Sequence, residues 1–422
     1  MNNAGKMKVT EVHRGEDLMG KYYRSNSRAF GIELGIVNSS AALYENGWSK
    51  VILVDNSDYT TPSCVYYPEN GNPCPVCGSF VKNWIKAHPK NVIHDFLPLV
   101  GVKYSDPVVK HVQESVGFTI VDDGDNTPII VFKQDGEEKR LYPEQVSSCI
   151  LGYLMELTQR YCDFDIADVV ISVPVWFSSL QRQLIRDAAV AAGLNLIRVI
   201  PEPVAAAYAY CEVLDLDKRD SPKGKVVLVY DLRSTSFSVT IQRMKGVVYS
   251  VLAYEYDLQL GGNDFCRLIR DYVIKTYKEE AEEEYGELSK RCIDRLLKKC
   301  ENAMVELTAI LESDIEIDDD IGWTYPLCRN HMNDLISGKI DESIRLCDNA
   351  ITKAGLTVND IDQIVLVGDG TWLCIVSEKL RKHFPKLEIK HSVNPSKCIA
   401  TGAARYADTL STGKYFVTPS HP

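Results

Sequence analysis

Two stretches of this chain, about 200 residues apart, spell the same local plan, and a long-period repeat constrains a fold more than any single motif. In "AFGIELGIVNSSAALYENGWSKVILVDN", residues 29–56, an apolar run ends on Glu33 and turns. It continues as two further strands, with Asn46-Gly47 as the second turn. In "VVLVYDLRSTSFSVTIQRMKGVVYSVLAYEYD", residues 226–257, the pattern returns with Asp231 in the place of Glu33 and Lys245-Gly246 as the second turn. An acidic residue, a leucine and a turn at matching positions point to an internal duplication, hence two similar α/β lobes.

Strand–helix units lie between and after the copies. "ADVVISVPVWF" reads as a strand and "SSLQRQLIRDAAVAAG" as an amphipathic helix with a glycine stop. "LIRVIPEP" is a further strand, followed by the alanine-rich helix "VAAAYAYCEV", and the polar run 215–225 is a linker candidate. Charged helices follow over roughly 263–309, where Glu279 to Glu284 reads as a solvated face. "DIDQIVLVGDGTWLCIVSEKLRKHF" is strand, glycine loop and helix, and "NPSKCIATGAARYADTL" is a final helix. The expected organisation is a flexible tail over 1–28, lobe I over 29–222, lobe II over 223–390, a return to lobe I over 391–411 and a tail over 412–422.

At 422 residues the chain suits two or more lobes better than one core. A net charge of −11 argues against nucleic acid as a partner. There is no run of about twenty apolar residues, so no membrane-spanning helix is expected, and the N-terminus has no apolar signal region. Thirteen scattered cysteines, mostly within apolar patterns, read as reduced thiols of a cytoplasmic or nuclear protein.

Two carboxylates at equivalent strand ends, one per lobe, would face each other across a cleft. There they can hold a hydrated Mg²⁺ that carries nucleotide phosphates, or they can merely end strands. Gly368, at the turn after a buried strand, suits close approach of a ligand.

The motifs then resemble, in order and spacing, the nucleotide-binding domain of the seventy-kilodalton heat-shock chaperones over about residues 29–411. "FGIELGIVNSS" resembles the first phosphate loop and "VYDLRSTSFSVTI" the second. "VISVPVWFSSLQRQLIRDAAVAAGLNLIRVIPEPVAAAYAY" resembles the connecting segment, "DLQLGGNDF" the Leu-Gly-Gly segment and "IVLVGDGTW" the adenosine loop. The resemblance implies the two-lobed actin-like ATPase fold and ATP or ADP with Mg²⁺. It makes Lys82 the cation beside the γ phosphate, Glu202 the holder of a metal-bound water, and Asp231 a carboxylate near the attacking water. It places Glu33 and Asp231 around the metal, and Gly35, Asn38, Ser236, Gly261, Gly262, Glu301, Gly368, Asp369 and Gly370 around the nucleotide. Pro174 and Arg182 match an interlobe relay.

Departures from the family pattern are concentrated where phosphate would sit. Glu33 stands for an aspartate, and its extra methylene crowds an octahedral Mg²⁺ shell. Ile36 and Val37 stand for hydroxyl donors, and each lost charge-assisted hydrogen bond is worth about 1.5–3 kcal/mol. Arg233, Ser234 and Thr235 replace three glycines, Ser238 replaces a carboxylate and Asp369 replaces a glycine. Met304 and Val305 replace the lysine and arginine of the adenine side, and Trp372 replaces an arginine, either stacking on a base or filling a gap. Arg233 has two open roles: pairing with a phosphate, or pairing with Glu33 across the cleft and displacing nucleotide and metal.

"CPVCG" with His88 and His94 approaches a zinc-finger spacing, but no second CxxC follows, so a surface turn is the expected state of Cys74 and Cys77. The chain ends soon after the last ATPase-like helix, so no peptide-binding domain is expected. The first reading is therefore a chaperone-family ATP-binding protein, limited to the ATPase domain, with weak or lost hydrolysis. Its alternative is a nucleotide-independent pseudo-ATPase scaffold that binds a nucleotide-exchange factor, a J-domain co-chaperone or another chaperone. A sugar or acetate kinase shares the fold but not the connecting segment.

Overall fold

A computed structural model describes residues 28–45, 48–54, 58–71, 74–162, 166–210, 224–245, 248–317, 322–390 and 392–412. The expected turn at Asn46-Gly47, Gly246 of the second turn, most of the 215–225 linker, and the tails beyond Arg28 and Thr412 lie outside the described residues.

The described chain forms two compact units. The first takes the residues up to Lys225, with Arg243–Ser250 and the segment from Ser392 onward. The second takes Val226–Gln242 and Val251–His391. Each has its own buried apolar cluster, with Phe30, Ile32, Ile171 and Leu151 in the first and Leu228, Tyr230, Phe237 and Ile364 in the second.

The duplication is visible as topology. In the first unit the strand Arg28–Glu33 lies between the parallel strand Ile166–Val173 and the antiparallel strand Asn38–Glu45. Leu196–Pro201 and Trp48–Val51 extend that sheet at its two sides. In the second unit Lys225–Leu232 lies between parallel Gln363–Val367 and Phe237–Lys245, with Glu388–Lys390 and Val248–Asp257 outermost. The strand order is the same in both. Central strands are largely apolar, as strands covered on both faces tend to be, and Val226–Leu232 is buried at every position, Asp231 included.

Helices end where local chemistry ends them. Ser178 caps Ser179–Ala191: its Oγ accepts from the Gln181 N–H at 3.2 Å, and the Gln181 amide oxygen accepts from the Ser178 N–H at 2.8 Å. Gly193 follows with φ 79°. The alanine-rich helix starts earlier than its apolar pattern suggests, running Glu202–Ala209 with Pro203 in its first turn. In the first unit the helix Cys398–Thr412 crosses the sheet against Arg28–Glu33 and packs on Glu202–Ala209.

Candidate functional site

In the first unit, Glu33 ends its strand beside Ser172 and is 7 % exposed; its Oε2 accepts from the Ser40 hydroxyl at 3.0 Å. The loop after it is held from the next strand pair: Ser63 Oγ donates to the Gly35 carbonyl at 2.7 Å, and the Ser63 N–H donates to the Val37 carbonyl at 2.8 Å. Ile36 packs against the apolar cluster of this unit, so the aliphatic replacement in this loop is used as core. Asn38 opens the following strand, half-buried. Lys82 sits exposed on the short helical turn Ser79–Trp84. Its ammonium pulls the nearby Cys64 thiol down, but burial wins and pushes that thiol up to about 12. Glu202, 4 % exposed, is the first residue of its helix, where a carboxylate is favoured by the helix dipole. Pro174 is buried at the end of Ile166–Val173, and the Arg182 guanidinium, half-buried on the next helix, donates to the Val175 carbonyl at 3.4 Å.

In the second unit, Asp231 occupies the place of Glu33, next to Val367 and one residue before Gly368 in register. Nε of Arg233 donates to Asp231 Oδ1 at 3.0 Å and Oδ2 at 3.1 Å. The turn is closed by its own backbone: the Arg233 N–H donates to the Ser236 carbonyl at 2.9 Å. The start of the helix Gly262–Glu280 docks onto it. The Gly262 N–H donates to the Arg233 carbonyl at 2.9 Å and the Asn263 N–H to the Ser234 carbonyl at 2.7 Å. Asp264 Oδ2 accepts from the Gly261 N–H at 2.9 Å. Ser236 and Ser238 are both buried. Gly368 has φ 84°, and a Cβ there would lie 2.9 Å from Asp231 Oδ1 and closer still to the Leu232 carbonyl oxygen. Its glycine is thus required by the adjoining strand end, before any ligand is considered.

Around this turn, Gly370 packs on the Leu232 side chain and Asp369 is exposed. Met304, half-buried, approaches Gly262, while Val305 is 60 % exposed. Glu301 accepts from the Lys298 ammonium at 2.8 Å. Trp372 is 46 % exposed, so it does not fill a gap between elements.

A hydrated Mg²⁺ requires an open carboxylate with oxygens turned to its water shell. Asp231 instead offers both oxygens to a guanidinium, so the residues on this side do not fit the metal. At the cysteine pair, Cys74 is exposed, while burial, reinforced by the neighbouring Cys149, pushes the Cys77 thiol up. His94 Nδ1 lies 2.9 Å from Asp95 Oδ2, and the His88 ring packs 5.0 Å from that of Tyr66. Among the described residues no group of three or more His, Cys, Asp or Glu side chains is arranged to hold a metal ion, and no helix is long and apolar enough to cross a membrane.

The Asp231–Arg233 pair was not among the roles the sequence left open to Arg233. Its signal was present: residues two apart at a strand end share a face.

Comparison with known proteins gives one family. The family model described as "Hsp70 protein" matches residues 29–417. The chain is 31 % identical over 383 residues to "Heat shock 70 kDa protein BIP3" of Oryza sativa subsp. japonica, covering 90 % of this chain and 56 % of that protein. It is 32 % identical over 392 residues to "Heat shock cognate 70 kDa protein 3" of Dictyostelium discoideum, covering 92 % and 61 %. It is 31 % identical over 389 residues to "Heat shock cognate HSP70 protein" of Trypanosoma brucei brucei, covering 91 % and 56 %. The chain therefore spans little more than half the length of these relatives. The duplicated sheets, the order of the five motifs and this match along nearly the whole chain have one meaning: the protein belongs to the Hsp70 family, with the actin-like ATPase fold of that family's nucleotide-binding domain.

Proposed function

We propose that this chain is a chaperone-family ATP-binding domain in which hydrolysis is weak or lost, and that it acts through protein partners such as a co-chaperone or a nucleotide-exchange factor. The observation that carries this reading is the engagement of Asp231 by Arg233. A carboxylate that orders an attacking water must have lone pairs turned to that water. One that already accepts from an arginine through both oxygens has fewer lone pairs and less room for that water. Lys82 and Glu202 keep the residue types needed for charge stabilisation and water placement, which favours a nucleotide-binding ancestry over an unrelated use of the fold. Val305, Met304 and Trp372 offer apolar surface where the relatives' cations would stack on a base, so base contact is weaker but not abolished.

Single-turnover release of phosphate from labelled ATP tests this reading. The expected rate for the unmodified chain is the same as, or at most a few-fold above, that of Lys82→Ala and of Asp231→Asn, about tenfold being the bound. A rate that falls by about tenfold or more in either variant, 1.4 kcal/mol of barrier, would sink the reading.

A second reading, a scaffold that binds no nucleotide, is favoured by the exposed Asp369 carboxylate on the Gly368–Gly370 turn, where it would repel phosphate. Thermal unfolding with saturating ATP or ADP separates the two. A ligand at about a hundred times its dissociation constant adds roughly 2.7 kcal/mol of stability, and a well-folded chain showing no shift is the scaffold.

A further inference from the structure

From Asn70 to His94 the sequence contains no Asp or Glu, in a chain that carries 58 of them and a net charge of −11. Within that stretch Lys82, Lys86 and Lys90 recur at every fourth residue, and all three are exposed. Among the described residues, no carboxylate or hydrogen-bond acceptor meets any of these three ammonium groups. Other lysines are placed differently: Lys139, Lys298, Lys339 and Lys379 each lie against a carboxylate. Aromatic rings stand among the unpaired cations. Phe80 is 44 % exposed and its ring meets that of Trp84 edge to face at 5.3 Å; Trp84 meets Tyr66 in the same way at 5.0 Å. The rings are held from beneath. Tyr66 and Trp84 pack on buried Cys64, Val81 and Val92, and the Tyr66 backbone exchanges two hydrogen bonds with Val76, each 2.9 Å. Gly78 has φ 130°, and a Cβ there would lie 2.8 Å from the Phe80 ring, so that ring rests on the glycine backbone.

We propose that this face of the first unit docks a short acidic protein segment that carries an apolar side chain, with carboxylates against Lys86 and Lys90 and the apolar group against Phe80 and Trp84. Fixed aromatic rings supply contact area at little cost in entropy, and charges around them steer and orient the partner. Charge complementarity also selects the size of the occupant. A nucleic-acid strand or an anionic bilayer continues beyond the patch and meets the acidic remainder of the chain. A short segment does not, because charges farther away than about 8 Å are largely screened at physiological salt. The inference concerns this surface alone and does not require bound nucleotide. Lys82 keeps its candidate role beside a phosphate, so Lys86 and Lys90 carry the test.

Fluorescence anisotropy of the full chain titrated into a labelled pool of short Glu- and Asp-rich peptides, each with one Leu, Phe or Trp at its centre, reads the docking. The expected result is saturable binding that weakens as salt is raised. The Lys86→Glu, Lys90→Glu double variant should lose about tenfold or more in affinity, and Phe80→Ser a similar amount. Lys382 and Lys386, exposed in the second unit at the same spacing, give the control: their double charge reversal changes the net charge equally and should leave binding within about twofold. No binding by the pool overturns the inference, as does an equal loss in the two double variants, which would make the effect one of bulk charge. Tighter binding of oligo(dT) or of phosphatidylserine vesicles through Lys86 and Lys90 would show a different occupant and overturn it too.

Discussion

Replacing Gly402 by alanine sets two rules against each other. Gly402 lies inside the helix Cys398–Thr412, and on helix propensity alone Gly→Ala gains about 1 kcal/mol. In the structure a Cβ at Gly402 would fall on the carbonyl oxygen of Ala205, far inside van der Waals contact, with the Ala209 backbone nitrogen 2.9 Å away. The helix cannot retreat freely. On the sheet side its backbone at Ala403 and Ala404 already lies against Gly31, and a Cβ built on Gly31 would meet Ala403 Cβ at 2.7 Å. A helix wedged between a strand and another helix relieves one contact only by tightening the other. Overpacking of one methyl typically costs about 1–3 kcal/mol, and backbone against backbone lies at the top of that range or beyond it. Packing therefore outweighs propensity, with an expected net loss of about 2 kcal/mol. Two other helical glycines serve as controls. A Cβ at Gly152 would meet only Ala192 Cβ, at 3.8 Å, and one at Gly338 meets nothing within 4 Å. Gly152→Ala and Gly338→Ala should hold or gain up to about 1 kcal/mol. Urea unfolding followed by circular dichroism ranks the three variants. A Gly402→Ala chain as stable as the unmodified one would refute the claim that the close approach is real.

Other outcomes are open to simpler measurements. Breaking the Asp231–Arg233 pair from either side should destabilise the second unit by about 1.5–3 kcal/mol, and the double variant should lose less than the sum of the singles; a coupling energy near zero in that cycle would mean the pair contributes nothing. Burial, with the Asp187 charge as a smaller cause, raises the Glu144 pKa above its ordinary 4.5. Its folded state therefore favours the proton, and stability is greatest below the unfolded pKa and falls as pH rises through the raised folded one. Glu144→Gln should raise the melting temperature at pH 7 and lose that advantage near pH 4, and equal shifts at both pH values would contradict the assignment. In timed alkylation, the exposed Cys74 should react ahead of Cys64, Cys266, Cys300 and Cys347, all buried, with desolvation pushing each of those four thiols up. Mass spectrometry of the labelled peptides gives the order.

Much of the architecture was legible because it rests on period-two patterning repeated in one chain. The two hairpins, their acidic strand ends, and the strands and helices at 166–191 and 363–383 stand where the alternation puts them. The region between was harder to read. Its strands are short, two residues each at Thr61–Pro62, Val65–Tyr66 and Val92–Ile93, and too brief to show any period. The long helix Arg329–Lys353 and the three-stranded sheet over residues 119–141 also went unread. At the candidate site the residue types were informative but their neighbours were not. Gly368 reads from sequence as room for a ligand, yet its demand for glycine comes from Leu232 and Asp231. Ile36 reads as a lost phosphate donor, yet it is part of an apolar core. Both differences arise because burial is set by contacts distant in sequence, which a local pattern does not encode.

The second unit is inserted into the sequence of the first, and that order has a consequence for synthesis on the ribosome. Arg28–Glu33 emerges long before the helix that covers it, Cys398–Thr412. Until then Gly31, Ala42 and the alanine face of Glu202–Ala209 lack their cover. The inserted unit between them closes its own core once His391 is out. The nascent chain thus completes the inserted unit before the first one and carries an open, sticky sheet until Cys398–Thr412 is out. A member of a chaperone family with this chain order is, for that interval, itself in need of one.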